Sequence, residues 1–399
     1  MIQRILCISG GHGEDNHACH IIRRLRAMDD SLEFGAIPIV GVGREYQKLD
    51  VPIVSPTKQM PSGGFVYMDK NMLKADLRAG LIGLALRQLQ ALYRTAPKYE
   101  AVLAVGDHVP QFSAYLSGRP YVSFISCLTS LHTGTFESNW LLRKAFASER
   151  CHAILTRDPP TAEILRREGW EKARFGGMPA IDFLEPEGID LALRGGAATV
   201  ALLPGSRPEE GVRNFAILMR FARTAAARLG TSVQFCAALV PRVRAGVPDL
   251  AKAQGWQWDG QRLSWTEAGR EIEIVCPEDA FADIAHACDV AIGLAGLALE
   301  QIVALGKPVI QFPGEGPQFT YHFARRQEAV LGLSAKTVGN KPPDAQGLEE
   351  GARVLGEVLT DGNYLAACRE NAERRFSARG ASHRHATAVM EALNRPRRS

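Results

Sequence analysis

The feature that most constrains the fold is an alternation that runs along the chain and begins twice. Short apolar, β-branched runs (RILCIS, IPIVGVG, AVLAVG, YVSFIS, HAILTR) alternate with stretches of helical spacing such as HACHIIRRLRAM and MLKADLRAGLIGLALRQLQALYR. Near residue 198 the pattern restarts with TVALLP, VQFCAAL, EIEIVC, DVAIG and KPVIQF. Strands separated by helices pair through crossovers, which makes them parallel and puts helices on both faces of the sheet. The expectation is an α/β chain of two doubly wound, Rossmann-like domains, and 399 residues at roughly 150 per domain allow two. The glycine- and proline-rich stretch GGMPAIDFLEPEG, residues 176–188, reads as the hinge and ends the first domain near residue 178. Ligand is expected in the cleft that the two domains face.

Composition narrows the class. With 46% hydrophobic and 23% charged residues and no low-complexity stretch, the chain can bury proper cores. A net charge of +4 gives no nucleic-acid signal. The eight cysteines are scattered without CxxC pairs and read as small core residues in a reducing compartment. The opening MIQRILCISGG lacks a signal-peptide pattern, and AGLIGLAL at 79–86 is far short of the roughly 20 residues that span a bilayer. A cytoplasmic protein is expected, with the inner face of the plasma membrane as its place of membrane contact.

Two junctions carry chemistry. In LLPGSR, residues 202–207, a strand ends and a helix begins, where free N–H groups and a partial positive charge favour anions. Gly205 permits close backbone approach, Ser206 can cap the helix in an S-x-x-E box with Glu209, and Arg207 can fork onto two phosphate oxygens. In CDVAIGLAGLALEQIVALGKPVIQFP, residues 288–313, a strand enters GLAG and then a helix. That helix carries Glu300 among apolar neighbours, placed to accept from a ribose diol.

Through LLPGSR, AGLALEQIVALGKP and GPQFTYHFA the chain resembles the donor-binding half of GT-B glycosyltransferases, lipid A disaccharide synthase above all. The AGLALEQIVALGKP stretch is also similar to the glucosaminyltransferase that makes lipid II. The resemblance implies a GT-B fold: domains at 1–178 and 179–373, and a segment 374–399 whose last helix, 382–394, crosses back to the first domain. It implies that Gly205, Ser206 and Arg207 hold a diphosphate, that Gly296 and Leu297 approach phosphate, and that Glu300 binds ribose. The backbone from Pro277 through Glu278 to Asp279 would read the base, and Gln318 would touch the sugar. Such enzymes need neither metal nor cofactor, and the sequence has no Asp-x-Asp run and no metal-ligand cluster; HACH at 17–20 reads as a partly buried helix face. His383 and His385 on the last helix are expected at the surface.

The first half departs from the family. Its glycine loop, GGHGED, has Gly10, Gly11 and Gly13 rather than G-x-G-x-x-G, and Glu14 and Asp15 occupy the helix start where a pyrophosphate would sit, which argues against NAD. In the related enzymes this loop faces the acceptor and offers His12, Glu14 and Asp15. Asp107 and His108, after AVLAVG, form the second candidate set for the base that takes the acceptor proton, and they rank ahead of His12 and Glu14. Aligning Pro110 and Phe112 with the family's Asp-Ala-Pro-Asp-Phe segment puts His108 and Gln111 at its two aspartates. Residues 70–94 read as one basic amphipathic helix, with Leu73, Leu77, Leu81 and Leu84 on one face and Lys70, Lys74 and Arg78 recurring at i+4. With Trp140 and Phe136 exposed nearby, it could rest on an anionic membrane, or pack on its own sheet.

The expected activity is metal-independent transfer of a sugar from a nucleotide diphosphate sugar to a lipid or lipid-linked acceptor. The donor is expected to be a UDP-linked hexosamine, which could be acylated. The alternatives are a UDP-sugar 2-epimerase and a catalytically idle nucleotide-binding protein.

Overall fold

The computed structural model describes residues 3–60, 70–267, 269–316, 319–376 and 379–394. The chain divides into two compact units, Met1–Phe183 with Phe376–Ser399, and Leu184–Arg375.

The first unit is a six-stranded sheet with the order β2-β1-β3-β4-β5-β6. Its strands are β1 (Arg4–Ser9), β2 (Glu33–Pro38), β3 (Ala101–Val105), β4 (Tyr121–Ile125), β5 (Cys151–Thr156) and β6 (Ala173–Phe175). Every pairing is parallel. Sheets of this kind are covered on both faces, which is why the strands read as nearly unbroken apolar runs. One face packs against the helices His12–Met28 and Ala381–Leu393 through Ile21, Ile22, Leu25 and Val389. The other packs against Leu81–Thr95, His108–Leu116, Trp140–Ala147 and Pro159–Arg167 through Leu92, Ala114, Leu142, Phe146 and Leu165.

The last helix is capped by Asp182, whose carboxylate accepts from the backbone N–H groups of Gly380, Ala381 and Ser382. Its His383 is exposed, but His385 is fully buried, contrary to the expectation from sequence. The ring lies 4.2 Å from that of Phe124, its Nε2 is 3.2 Å from the Gly177 carbonyl oxygen, and burial lowers its pKa to about 4. His17 and His20 are also more buried than the sequence suggested: His17 is edge-on to Phe124 and His20 stacks on Phe183. Among the described residues no group of three or more His, Cys, Asp or Glu could hold a metal ion.

The stretch 70–94 is two helices, Lys70–Arg78 and Leu81–Thr95, and not one. Gly80, at φ +92, breaks it, a conformation that glycine reaches without a Cβ clash. The apolar face is therefore not shared: Leu77 is exposed on the first helix while Leu84 is on the buried face of the second. Phe136 is also buried, against Phe146, whereas Trp140 is exposed. No described helix is long and apolar enough to cross a membrane.

The second unit is an eight-stranded sheet with the order β14-β13-β12-β7-β8-β11-β10-β9. Its strands are β7 (Ala198–Leu203), β8 (Val233–Ala237), β9 (Gln257–Trp258), β10 (Arg262–Glu267), β11 (Arg270–Val275), β12 (Val290–Gly293), β13 (Val309–Gln311) and β14 (Ala335–Thr337). β10 runs antiparallel to both neighbours, so one edge of an otherwise parallel sheet is a meander. The sequence reading found β11 in EIEIVC but missed β10, RLSWTE, whose polar residues mark a strand with one exposed face.

Candidate functional site

In the second unit Gly205, Ser206, Arg207, Gly296, Leu297 and Glu300, singled out from sequence, lie at the carboxyl ends of the adjacent strands β7 and β12. Gly205 has φ +92, and a Cβ there would come within 3.0 Å of the Leu294 carbonyl oxygen, so the loops after the two strands touch where only glycine fits. Gly296 is the N-cap of the helix Leu297–Ala304, which puts that helix's free N–H groups beside the same contact. Glu300 lies in its first turn, half-buried.

The Ser206–Glu209 capping box does not form. The helix Pro208–Leu229 has Arg207 as its N-cap and Pro208 at its first position, with no side-chain cap, and Ser206 is exposed. Proline favours that first position because its missing N–H is not needed there. This moves the helix start one residue beyond the box. Glu209 and Glu210 occupy the first turn, the same acidity that argued against an anion at GGHGED, so this criterion does not separate the two loops. Glu210 is buried beneath Gly316, where a Cβ would lie 2.9 Å from its Oε1.

Two carboxamides missed in the sequence hold these loops. The Asn214 side-chain N–H₂ donates to the Pro204 carbonyl oxygen at 3.0 Å and to that of Leu294 at 3.4 Å, tying the two loops together. Gln327 donates to the carbonyls of Ala295 and Gly296 at 3.0 and 2.8 Å. Both side chains are buried. Their signal in the sequence is a polar residue on an apolar helix face: Asn214 shares its face with Leu218 and Phe221, and Gln327 with Ala324 and Leu331.

Glu278 and Asp279 line a cavity of about 400 Å³ with Leu239, Pro241, Arg244 and Trp258. Arg244 is 3.1 Å from Glu278 and lies 5.3 Å from the centre of the Trp258 ring. Asp279 has φ +50, a left-handed conformation that aspartate tolerates better than most residues. Lys307 donates to the carbonyls of Ala285 and His286, at the end of the helix Phe281–Ala287, so it is a cation at a helix carboxyl end. Gln318 lies outside the described residues.

In the first unit Glu14 and Asp107 come together at the carboxyl ends of β1, β3 and β4. Glu14 Oε2 accepts from the Gly11 N–H at 3.1 Å, and its Oε1 accepts from the Cys127 thiol at 3.0 Å. Asp107 Oδ1 accepts from the N–H groups of Cys127 and Leu128 at 3.2 and 3.1 Å. Cys127 thus bridges the two carboxylates, and it is exposed although cysteines were expected in the core; the other seven are buried. Burial, reinforced by the neighbouring Glu14 charge, raises the Asp107 pKa to about 6.

His108 opens the helix His108–Leu116, and burial lowers its pKa against a hydrogen bond with Asn139. His12 is exposed at the start of the first helix. Gln111 is structural: fully buried, it donates to the carbonyls of Gly106 and Phe124 at 2.9 and 3.0 Å and accepts from the Ser123 hydroxyl at 2.6 Å.

Asp15 is buried rather than facing an acceptor. It accepts from Ser9 at 2.6 Å, and Ser9 accepts from Tyr46 at 2.8 Å. Burial raises its pKa from 3.8 to about 7. A carboxyl whose folded pKa is raised costs stability where it ionises. Below the unfolded value both states are protonated; from about pH 4 to about pH 7 stability falls by up to ~1.4 kcal/mol per pH unit, and above that the penalty is constant. Asp15→Asn keeps the acceptor for Ser9 without the charge. Its melting temperature is expected to exceed that of the wild type by a margin that grows between about pH 4 and pH 7 and then levels off. A margin independent of pH would show that Asp15 stays ionised throughout that range.

No protein-family model and no curated protein matches the chain. Solved structures do match over nearly its whole length. The UDP-GlcNAc 2-epimerase of Neisseria meningitidis bound to UDP-GlcNAc is 15% identical, with 98% of this chain and 100% of that chain covered and a TM-score of 0.56. MurG of Acinetobacter baumannii is 13% identical, with 98% and 99% covered and a TM-score of 0.58. The glycosyltransferase SnogD of Streptomyces nogalater is 14% identical, with 98% and 100% covered and a TM-score of 0.56. The fold is GT-B. At these identities the likeness is one of fold, and it does not single out the lipid A disaccharide synthases.

Proposed function

We propose that the chain is a glycosyltransferase that moves a UDP-linked hexosamine to a lipid or lipid-linked acceptor. The observation that carries this reading is the meeting of the Gly205–Arg207 and Leu294–Leu297 loops at the ends of adjacent parallel strands, with Arg207 at a helix N-terminus. In this reading Arg207 and the N–H groups near Gly296 and Leu297 hold the diphosphate and stabilise its charge as it departs, without a metal ion or cofactor. Glu300 accepts from the ribose, and the backbone around Glu278 and Asp279 reads the base. Asp107 takes the proton of the acceptor hydroxyl, with Glu14 setting its charge environment. The UDP-GlcNAc in the Neisseria structure supports the choice of donor class.

A second reading is favoured by the epimerases among the structural neighbours: a UDP-sugar 2-epimerase, in which Glu14 and Asp107 handle the proton at the sugar carbon. An epimerase converts UDP-GlcNAc alone, whereas a transferase needs an acceptor, so proton NMR of the sugar nucleotide with enzyme only separates the two. Binding without turnover in either assay would leave an idle nucleotide-binding protein.

The first test is a thermal-shift panel with UDP, UDP-GlcNAc, GDP, ADP and NAD. A ligand of the native state at about 100 times its Kd adds about 2.7 kcal/mol of stability, a rise of several degrees in melting temperature. A uridine-selective rise is expected. A response to NAD alone, or to none of the five, would overturn the reading.

A further inference from the structure

The exposed large apolar side chains of the first unit fall into groups: Met28 and Tyr93 lie in the last turns of their helices, toward the amino edge of the sheet, and Phe183 lies against His20. Leu77, Ile82, Leu86, Val109 and Trp140 are 44 to 65% exposed. The helix Leu81–Thr95 leads into the amino end of β3, so its first turns lie at the carboxyl edge of the sheet. The helix His108–Leu116 starts directly after β3, and Trp140–Ala147 runs back toward the amino end of β5, so their first turns lie at that edge too. All three helices cover the same face of the sheet. The Trp140 ring lies edge-on to Phe112, 5.7 Å between centres, which joins the second and third helices there. Four exposed apolar residues, Ile82, Leu86, Val109 and Trp140, therefore rim one edge of the unit, the edge where Glu14 and Asp107 meet, and Leu77 precedes them on the helix Lys70–Arg78.

On the helix Leu81–Thr95, Ile82 and Leu86 are one turn apart, on the side away from the buried Leu84, Gln88 and Leu92. This helix thus has two apolar faces, and only one is used in packing. The charge around the outer face has one sign. Lys74, Arg78, Arg87 and Arg94 are exposed, while Asp76, the one carboxylate in the sequence 70–95, is buried. Arg143 and Lys144 are exposed beside Trp140, against the single exposed carboxylate Glu137 of the preceding loop.

We propose that this edge, through Ile82, Leu86, Val109 and Trp140, inserts into the interface of an anionic lipid bilayer. It deepens the reading of a lipid-linked acceptor, on which it rests, by naming the surface that meets the membrane. Apolar side chains enter the acyl boundary while the flanking arginines and lysines pair with anionic headgroups. The same edge then brings the Glu14–Asp107 pair to the depth of the headgroups, where the hydroxyl of a lipid-linked acceptor lies.

The experiment is co-sedimentation of the full chain with phosphatidylcholine vesicles, with and without phosphatidylglycerol. The wild type is expected to sediment with the anionic vesicles and to be released by salt. The triple variant Ile82→Ser/Leu86→Ser/Trp140→Ser is expected to lose roughly tenfold or more in partitioning. Arg78→Glu/Arg87→Glu is expected to lose the preference for anionic lipid. All five positions are exposed, so the variants should keep the wild-type melting temperature. Equal partitioning of wild type and both variants, or no binding to either vesicle, would overturn the proposal. So would a wild-type dimer that the triple variant dissolves, since a second copy would then cover the edge. Loss of vesicle binding with the uridine thermal shift intact sinks this inference alone, and the converse result sinks only the donor reading.

Discussion

Replacing Asp107 by asparagine is expected to lower sugar transfer by about 10²- to 10⁴-fold, the range for loss of a positioned general base, while nucleotide binding is unchanged. The carboxyl is suited to that work for two reasons. Its Oδ1 is fixed by two backbone N–H groups, from Cys127 and Leu128, so the group is oriented before any ligand arrives. Burial and the charge of Glu14 lift its pKa to about 6, where it is a stronger base than an ordinary aspartate yet still ionised at neutral pH. Turnover should therefore fall as pH drops through about 6, and that acid limb should vanish from the residual activity of the asparagine variant. His108 has burial acting against its charged form and a hydrogen bond to Asn139, so His108→Ala is expected to cost less than about tenfold. A larger loss from His108→Ala than from Asp107→Asn would exchange their roles.

The second large effect concerns the diphosphate. Arg207→Ala is expected to weaken UDP binding by about 1.5 to 3 kcal/mol, roughly 10- to 150-fold in Kd, the range for a charged hydrogen bond. Arg207 contributes its backbone to the helix start and no side-chain cap, so removing the side chain should leave the helix Pro208–Leu229 in place. The melting temperature without nucleotide is the control. Arg207→Lys keeps the charge but not the two-pronged geometry and should fall between the two. Titration calorimetry with UDP reads all three proteins, and an affinity unchanged by the alanine substitution would remove Arg207 from the site.

Much of the geometry of the loops after β7 and β12 was legible because it depends on local backbone chemistry. A glycine that must take positive φ and a strand that ends in a helix start are short-range patterns, and Gly205 and Gly296 stand where those patterns put them. The loops' supports were not legible as such. Asn214 and Gln327 are ordinary polar residues in helices until the strand order places their amides beneath two particular loops. The capping box failed for a related reason: Ser206 and Glu209 have the right spacing, but the proline at 208 sets the helix start one residue later.

By itself the sequence determined the class of fold. Alternating strand and helix periods leave few parallel arrangements that bury every apolar face, and the pattern is strong enough to survive local errors. Only the tertiary structure decided which polar side chains meet. It turned Asp15 inward to Ser9 while leaving Glu14, its neighbour in the chain, beside Asp107 and Cys127. It buried His385 against Phe124 and set Trp140 and Ile82 outward on one edge. Burial and proximity depend on contacts between residues far apart in the chain. No local pattern encodes them, and they decide a carboxyl group's charge and a side chain's partner.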